Sequence, residues 1–246
     1  MRKRKNKNGY IFLLVMAFIV VFSIIKLQGN GMLGNNEGLA KESSEKIVNS
    51  AEASYENKVK TTTKILTGKT IVIDPGHGGG DIGASGQNGT IEKDVTLTMS
   101  KNIQNNLEER TGATVILTRK DDVKVSLEDR VKIAEEENAD LFVSIHFDAF
   151  FTNDVEGITT YYNNTDEPIA KLIHENIFKN GLDARNRGVR LGDLYVLREN
   201  SRPAILLELG FISNSKDEAR MTSEEFQKNT ANSIVDGIID SLSSNI

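Results

Sequence analysis

From Thr70 onward, the apolar and polar positions of the chain follow two different periods. Short apolar runs are typical of buried strands, and longer segments with apolar residues three or four apart, such as Val95, Met99, Ile103 and Leu107, are typical of helices. The predicted strands are TIVIDP, ATVILTR, LFVSIHF, GITTYY, LYVLRE and PAILLELGF. The predicted helices are EKDVTLTMSKNIQNNLEER, SLEDRVKIAEEEN, DEPIAKLIHENIFKNG and SEEFQKNTANSIVDGIIDSLS. This alternation predicts an α/β fold, with a mainly parallel, twisted sheet and helices on both of its faces.

Two of the predicted helices carry signals at their ends. Ser126, with Asp129 three residues later, forms a weaker relative of the capping box. Pro168 suits the first turn of the helix that Gly181 closes. His174 lies within that second helix, and we expect it at the helix surface.

The N-terminal part of the chain has the pattern of a membrane-targeting segment. Five basic residues fall within the first seven, and residues 10–25 are apolar except for Ser23. The basic flank predicts a cytoplasmic N-terminus and an extracellular remainder. Because no small-x-small cleavage site follows, residues 1–27 are interpreted as a basic flank and an uncleaved anchor. A cleaved signal, and hence secretion, is the alternative.

Residues 28–68 are rich in Gly, Asn, Ser, Glu, Lys and Thr, which is typical of a flexible tether. Residues 69–246 then form a single folded domain in this interpretation. The expected location is the cell membrane, with one membrane pass and the domain outside. The sequence does not indicate the oligomeric state.

Composition narrows the possible chemistry. The net charge of −5 argues against nucleic acid as the partner, because phosphate binding needs a basic surface. The 246 residues contain no cysteine, so any metal would need His, Asp and Glu as ligands. Only three histidines are present, so each one that follows a strand is a candidate ligand.

Three polar residues lie at or just past the ends of predicted strands. His77 follows the first strand, His146 ends the apolar run LFVSIH, and Glu208 ends the run AILLE. In open sheets of this class, ligands bind beyond the carboxyl ends of the strands. The three residues therefore predict one site at one edge of the sheet.

Each of these residues also has a structural interpretation. His77 could be only a turn residue after Asp-Pro-Gly, and His146 could be a neutral histidine in the core. Glu208 could be buried in a salt bridge with Arg198 or Arg202, because an unpaired carboxylate is costly to bury.

Glu92 follows a glycine-rich loop and opens the first predicted helix. From the residues alone, the favoured interpretation is an acidic residue stabilised by the positive end of the helix dipole. Any chemical role for Glu92 needs a further argument.

Four segments of the chain supply that argument: IVIDPGHGGGDIGASG, IEKD, SIHFDA and ILLELGFISN, in this order. Together they resemble the zinc-dependent N-acetylmuramoyl-L-alanine amidases of the bacterial cell wall (the amidase type 3 catalytic domain), from about Ile71 to the C-terminus. The resemblance implies that His77, Glu92 and His146 bind one zinc ion and that Glu208 is catalytic. It also implies hydrolysis of the amide bond between N-acetylmuramic acid and L-alanine in peptidoglycan.

The chain departs from the family pattern at two positions. Asp148 stands where the family often has asparagine, and Ile82 stands where proline is common. Some members carry an inhibitory helical insertion after the SIH strand, but the short segment before GITTYY leaves no room for one.

The anionic stem peptide of the implied substrate needs a cation nearby. Arg198, near the end of the predicted strand LYVLRE, is the candidate, with a structural pairing to Glu208 as the alternative. Two other functions compete with the amidase: a catalytically silent wall-binding or scaffold protein on the same fold, and a zinc peptidase of another type. The second is disfavoured because such peptidases space their ligands closely, whereas fifteen positions separate His77 and Glu92 (92 − 77).

Overall fold

The computed structural model describes residues 65–163 and 165–243, in which a six-stranded sheet lies between two layers of helices. The strands are β1 Thr70–Pro75, β2 Thr114–Leu117, β3 Leu141–Asp148, β4 Ile158–Tyr162, β5 Asn186–Leu191 and β6 Ala204–Phe211. The helices are α1 Glu92–Thr111, α2 Leu127–Glu136, α3 Glu167–Lys179, α4 Tyr195–Arg198, α5 Ser215–Met221 and α6 Glu224–Ser243. The predicted membrane anchor lies outside the described residues, as does the tether up to residue 64.

The strand order in the sheet is β2-β1-β3-β6-β4-β5. Four neighbouring pairs are parallel, and the pair β4–β6 is antiparallel. The mainly parallel sheet is thus confirmed, whereas the reversal at β4 was not predicted. Because of this reversal, β4 and β5 begin at the same edge of the sheet at which β1, β3 and β6 end.

The two faces of the sheet are covered by different helices. Along β3, Val143 belongs to the larger apolar cluster, which includes Met99 of α1, and Phe142 belongs to a smaller cluster with Val131 of α2 and Leu197 of α4. Burying each side chain of this kind stabilises the fold by about 1.5–3 kcal/mol. The predicted helices on both faces are therefore confirmed.

The described domain includes residues just before β1. Leu66 is 1% exposed and belongs to the larger cluster, and its backbone N–H donates to the carbonyl of Thr111 at 3.0 Å. Leu66, which the sequence places in the tether, therefore packs against the end of α1. Among the described residues, no helix is both long enough and apolar enough to cross a membrane.

The predicted helix ends agree with the structure. Ser126 caps α2, and its hydroxyl accepts from the backbone N–H of Asp129 at 3.0 Å. Pro168 lies in the first turn of α3, which ends at Lys179, two residues before Gly181. A further helix, α5, was not predicted.

One predicted strand is wrong. LYVLRE forms the short helix α4, and the sheet position beside β4 is taken by β5, with the sequence NRGVRL. The apolar Val196 and Leu197 of α4 are adjacent residues that both pack into the smaller cluster. β5 is an edge strand with mostly exposed or half-buried residues, so it has no apolar pattern that could identify it.

The expected surface position of His174 is also wrong. His174 is 4% exposed, and its ring lies between Thr160 of β4 and Asn186 of β5. The Asn186 Oδ1 atom also accepts from the backbone N–H of Gly188, so the His174 Nε2–H donates to this oxygen at 2.9 Å. His174 is therefore a buried histidine whose partners come from the two strands that precede and follow its helix in the chain.

His174 should make the stability of the domain depend on pH. Burial lowers the pKa of His174 below its ordinary value of 6.5, although the hydrogen bond to Asn186 opposes this shift. Below about pH 6.5 the unfolded state then binds more protons than the folded state, so stability falls as the pH falls. We expect the melting temperature of the wild type to drop more steeply between pH 7.5 and 5.5 than that of His174→Gln. Parallel curves in differential scanning calorimetry would contradict this expectation.

Candidate active site

The turn after β1 presents His77 at the edge of the sheet. Its backbone has φ 61°, a left-handed conformation that costs a residue other than glycine about 1–3 kcal/mol. Its Nδ1 atom lies 3.0 Å from Oδ1 of Asp81, which orients the imidazole ring. At Gly76, a Cβ atom would lie 2.4 Å from the ring of His146, so only glycine permits the two histidines to approach.

Two buried arginines fix the backbone of this turn. Arg119 donates to the carbonyls of Pro75 at 3.0 Å and Gly76 at 2.8 Å. Arg130 donates to the carbonyls of Pro75 at 2.7 Å and His77 at 2.8 Å. The turn is thus held by backbone contacts from both guanidinium groups, which compensates the unfavourable conformation of His77.

The charge of Arg130 is balanced by Asp74, whose Oδ1 lies 2.6 Å from its Nη1, with both side chains nearly inaccessible. Removing one partner of a buried ion pair leaves the other charge unpaired. Arg130→Ala should therefore lower the free energy of unfolding by about 3–5 kcal/mol in urea denaturation. The control is Lys132→Ala on the same helix, because Lys132 makes only an exposed pair with Glu136, worth about 0–1 kcal/mol. Equal effects of the two substitutions would show that the buried pair is not a main support of the turn.

Glu92 lies between the two histidines. Its Oε1 atom is 3.1 Å from Nε2 of His77 and 3.0 Å from Nδ1 of His146, and it also accepts from the backbone N–H of Phe147. Its Oε2 atom accepts from the backbone N–H of Ala84 at 2.9 Å. Burial opposes ionisation, but the contacts with His146 and His77 lower the pKa of Glu92 far below its ordinary range. Glu92 is therefore an ionised carboxylate directed inward, not only an acidic residue at a helix end.

The donor atoms of His77, Glu92 and His146 all lie within 4.8 Å of one another. Ligand atoms around a tetrahedral zinc ion, each about 2.0–2.2 Å from it, lie roughly 3.4 Å apart. Two imidazoles and one carboxylate are also a ligand set of catalytic zinc sites, which keep a fourth position open. The three side chains therefore fit a divalent metal such as zinc.

Glu208 lies beside this group because of the strand register. His146 of β3 pairs with Glu208 of β6, and the alternation of both strands directs the two side chains to the same face of the sheet. The Oε2 atom of Glu208 is buried and has no hydrogen-bond partner among the described residues. Burial, together with repulsion from Asp148 and Glu92, raises the pKa of Glu208 well above its ordinary value.

The structural interpretation of Glu208 as a salt-bridge partner is wrong. Arg202 donates instead to the carbonyls of Ala139 and Asn138. Arg198, which is exposed at the end of helix α4, pairs with Asp193 at 2.6 Å and Glu199 at 2.7 Å. Arg198 does not lie at the end of a strand, and its role in substrate binding stays a prediction.

Sequence reasoning missed several residues near the site. Asp81 and the two turn-binding arginines were not considered, although an acidic residue four positions after a candidate ligand is a usable signal. Tyr161 was also missed, whereas the sequence identified Asp148 as a departure from the family pattern. Both lie close enough to Glu208 for the charges to influence one another, and burial is the main reason why the pKa of each is raised.

The loop between β3 and β4 covers residues 149–157 and contains no helix. This agrees with the expectation that no inhibitory helical insertion is present there. The loop carries the exposed side chains of Phe150 and Phe151, whose ring centroids lie 4.3 Å apart. Its end is held by Asp217, whose Oδ2 accepts from the backbone N–H groups of Gly157 and Phe211.

A family model described as N-acetylmuramoyl-L-alanine amidase matches residues 71–240. The chain belongs to this amidase family. The probable cell wall amidase LytH of Staphylococcus aureus is 43% identical over 176 residues, which are 70% of this chain and 58% of LytH. The chain thus spans little more than half of that relative.

Solved amidase structures share the fold over the same region. The amidase AmiC2 of Nostoc punctiforme superimposes with a TM-score of 0.70 at 40% identity, covering 72% of this chain and 99% of AmiC2. The catalytic domain of CwlV, an amidase from Bacillus (Paenibacillus) polymyxa var. colistinus, gives 0.68 at 39% identity and covers 71% and 98%. The resemblance read from the four segments is confirmed, and the domain is an N-acetylmuramoyl-L-alanine amidase, a cell-wall hydrolase.

Proposed function

We propose that this amidase uses zinc, held by His77, Glu92 and His146, and that Glu208 is its general base. The scissile bond is the amide between N-acetylmuramic acid and L-alanine in peptidoglycan. The observation that carries the proposal is the register pair His146–Glu208. It sets the half-buried Glu208, whose Oε2 atom is buried without a hydrogen-bond partner among the described residues, next to a three-residue ligand group.

In the proposed mechanism, Glu208 transfers the proton and the three ligands hold the metal. Glu208 accepts a proton from the attacking water as the water oxygen bonds to the carbonyl carbon. The carbon–nitrogen bond then breaks, and Glu208 returns the proton to the nitrogen of L-alanine. A raised pKa suits both transfers, because such a carboxylate can accept and return a proton near neutral pH. A zinc ion held by the three ligands would supply Lewis acidity, which lowers the pKa of water and polarises the carbonyl.

The contacts behind the ligands support the same assignment. Asp81 holds the His77 ring so that Nε2 faces Glu92, and Phe147 N–H and Ala84 N–H hold the two oxygens of Glu92. Such outer contacts keep metal ligands in one orientation before the ion binds.

The test is digestion of purified peptidoglycan by the purified full-length chain. An amidase releases new amino-terminal alanine and no new reducing sugar ends. The activity should disappear with a chelator and return when zinc is added. Reducing ends without new amino groups would overturn the proposed bond. Binding to the wall without either product would favour the catalytically silent wall-binding protein.

Residues 1–27 are proposed to hold the enzyme at the membrane, with the amidase domain outside, where peptidoglycan lies. The basic flank and the apolar stretch of residues 10–25 support this topology. Membrane fractionation followed by N-terminal sequencing separates the two alternatives. An intact N-terminus in the membrane fraction supports an anchor, and a shortened soluble chain supports a cleaved signal.

A further inference from the structure

Arg187 lies in the same row of the sheet as the residues of the active site. His146 pairs with Glu208, and Glu208 pairs with Thr159 of β4. The register between β4 and β5 shifts at this level, so that Arg187 and Gly188 together lie opposite Thr159. Because neighbouring strands lie about 4.8 Å apart, the backbone of Arg187 is about 10 Å from that of Glu208.

One N–H donor of the Arg187 guanidinium group has no hydrogen-bond partner among the described residues. The guanidinium group lies over the ring of the buried Phe211, 5.0 Å from the ring centroid, and its Nη1 donates to the carbonyl of Glu156 at 3.2 Å. Its Nε is buried and has no hydrogen-bond partner in the described part of the chain. Leaving a buried charged donor unpaired is costly, so a ligand that supplies an acceptor would be favoured here.

Arg187 also differs from the other arginines near the sheet edge. Arg119 and Arg130 use their guanidinium groups to hold the turn after β1. Arg198 is neutralised by Asp193 and Glu199. Arg187 forms no contact ion pair with the carboxylates of residues 65–163 and 165–243. Its charge acts on Asp148 at longer range and partly offsets the rise that burial causes in the pKa of that carboxyl group, but no carboxylate occupies a hydrogen-bonding position on the guanidinium group, so an anion can approach it.

We propose that Arg187 binds a carboxylate of the stem peptide and thereby sets the preference of the enzyme for charged peptides. The inference rests on the amidase activity described above. A carboxylate on the residue after L-alanine lies about 7 Å from the scissile bond, since each residue spans at most about 3.3–3.6 Å. An arginine two strands away from Glu208 can reach this position. The guanidinium group of an arginine presents several N–H donors in one plane, and this arrangement suits a carboxylate better than a neutral amide.

Two matched muramoyl peptides test the proposal. They differ only in whether the residue after L-alanine carries a free carboxylate or a carboxamide. For the zinc-loaded full-length wild type, we expect kcat/KM to be about 10- to 100-fold higher for the carboxylate peptide, as for a lost hydrogen bond to a charged group. For Arg187→Gln, we expect this ratio to fall to about one, mainly through a higher KM for the carboxylate peptide. The ratio is independent of the fraction of folded enzyme, so partial destabilisation does not affect it.

The control variant is Arg190→Gln, which replaces an exposed arginine on the same strand and should keep the wild-type ratio. A wild type that does not discriminate, or an Arg187→Gln variant that still does, would overturn the proposal. A collapse of the ratio in Arg198→Gln alone would assign the carboxylate to Arg198. Hydrolysis of the carboxamide peptide by the wild type tests the amidase activity separately, so the two failures are distinguishable.

Discussion

Glu208→Gln should retain wild-type zinc content while its turnover of peptidoglycan falls by about 10²- to 10⁴-fold, the usual contribution of a general acid–base group. Glutamine has nearly the same shape as glutamate but cannot accept the proton of water. Glu208 is not one of the three residues whose donor atoms converge, so the ligand group stays complete. Metal analysis of the purified variant, combined with release of amino-terminal alanine, measures both quantities on the same sample.

The same substitution has an expected effect on stability. Glu208 buries an unpaired carboxylate oxygen beside two other acidic residues, so the neutral glutamine should leave the melting temperature of the metal-free protein unchanged or raise it. The matched control is Glu225→Gln on the exposed side of α6, which should leave both turnover and zinc content unaltered. Loss of zinc from Glu208→Gln would indicate that Glu208 is a ligand. Retained turnover would remove it from the catalytic role.

His146→Ala should lose both zinc and activity. Mutating residues that only support metal ligands typically lowers affinity about 10- to 100-fold, and removing a ligand should exceed this loss. Because His146 also contacts Oε1 of Glu92, its removal leaves this buried carboxylate with one imidazole fewer. Equilibrium dialysis against zinc, followed by the peptidoglycan assay, should show both losses.

His174→Gln is the matched control for this experiment. It also replaces a histidine of the same domain, but His174 contacts Thr160 and Asn186 and is not part of the ligand group. Zinc binding and turnover should persist in this variant. If His146→Ala keeps both zinc and activity, the ligand assignment is wrong.

Much of the active site is visible in the sequence because its residues occupy the ends of apolar strands. His77 and His146 were placed at one sheet edge from strand patterns alone, and the register of the sheet agrees. Glu92 was not identifiable in this way. Its local context is that of any acidic residue at a helix start, and only the family resemblance marked it as a ligand.

The errors have a common physical origin. β5 lies at the edge of the sheet, where its residues are exposed or half-buried, so its sequence has no alternating apolar pattern. LYVLRE has the composition of a strand but forms a helical turn. The burial of His174 depends on Thr160 and Asn186, which lie on two strands that its own helix does not reveal.

The sequence by itself determined the layered α/β class, most helices and strands, and the placement of His77, His146 and Glu208 at one edge of the sheet. These properties follow from the periods of strands and helices, which involve only neighbouring residues. Only the tertiary structure decided which groups meet across the sheet. It made β4 antiparallel to β6, placed Arg119 and Arg130 on the His77 turn, and left Oε2 of Glu208 and Nε of Arg187 without hydrogen-bond partners among the described residues. Such partners depend on strand order and register, which bring together residues far apart in the chain and therefore leave no local pattern.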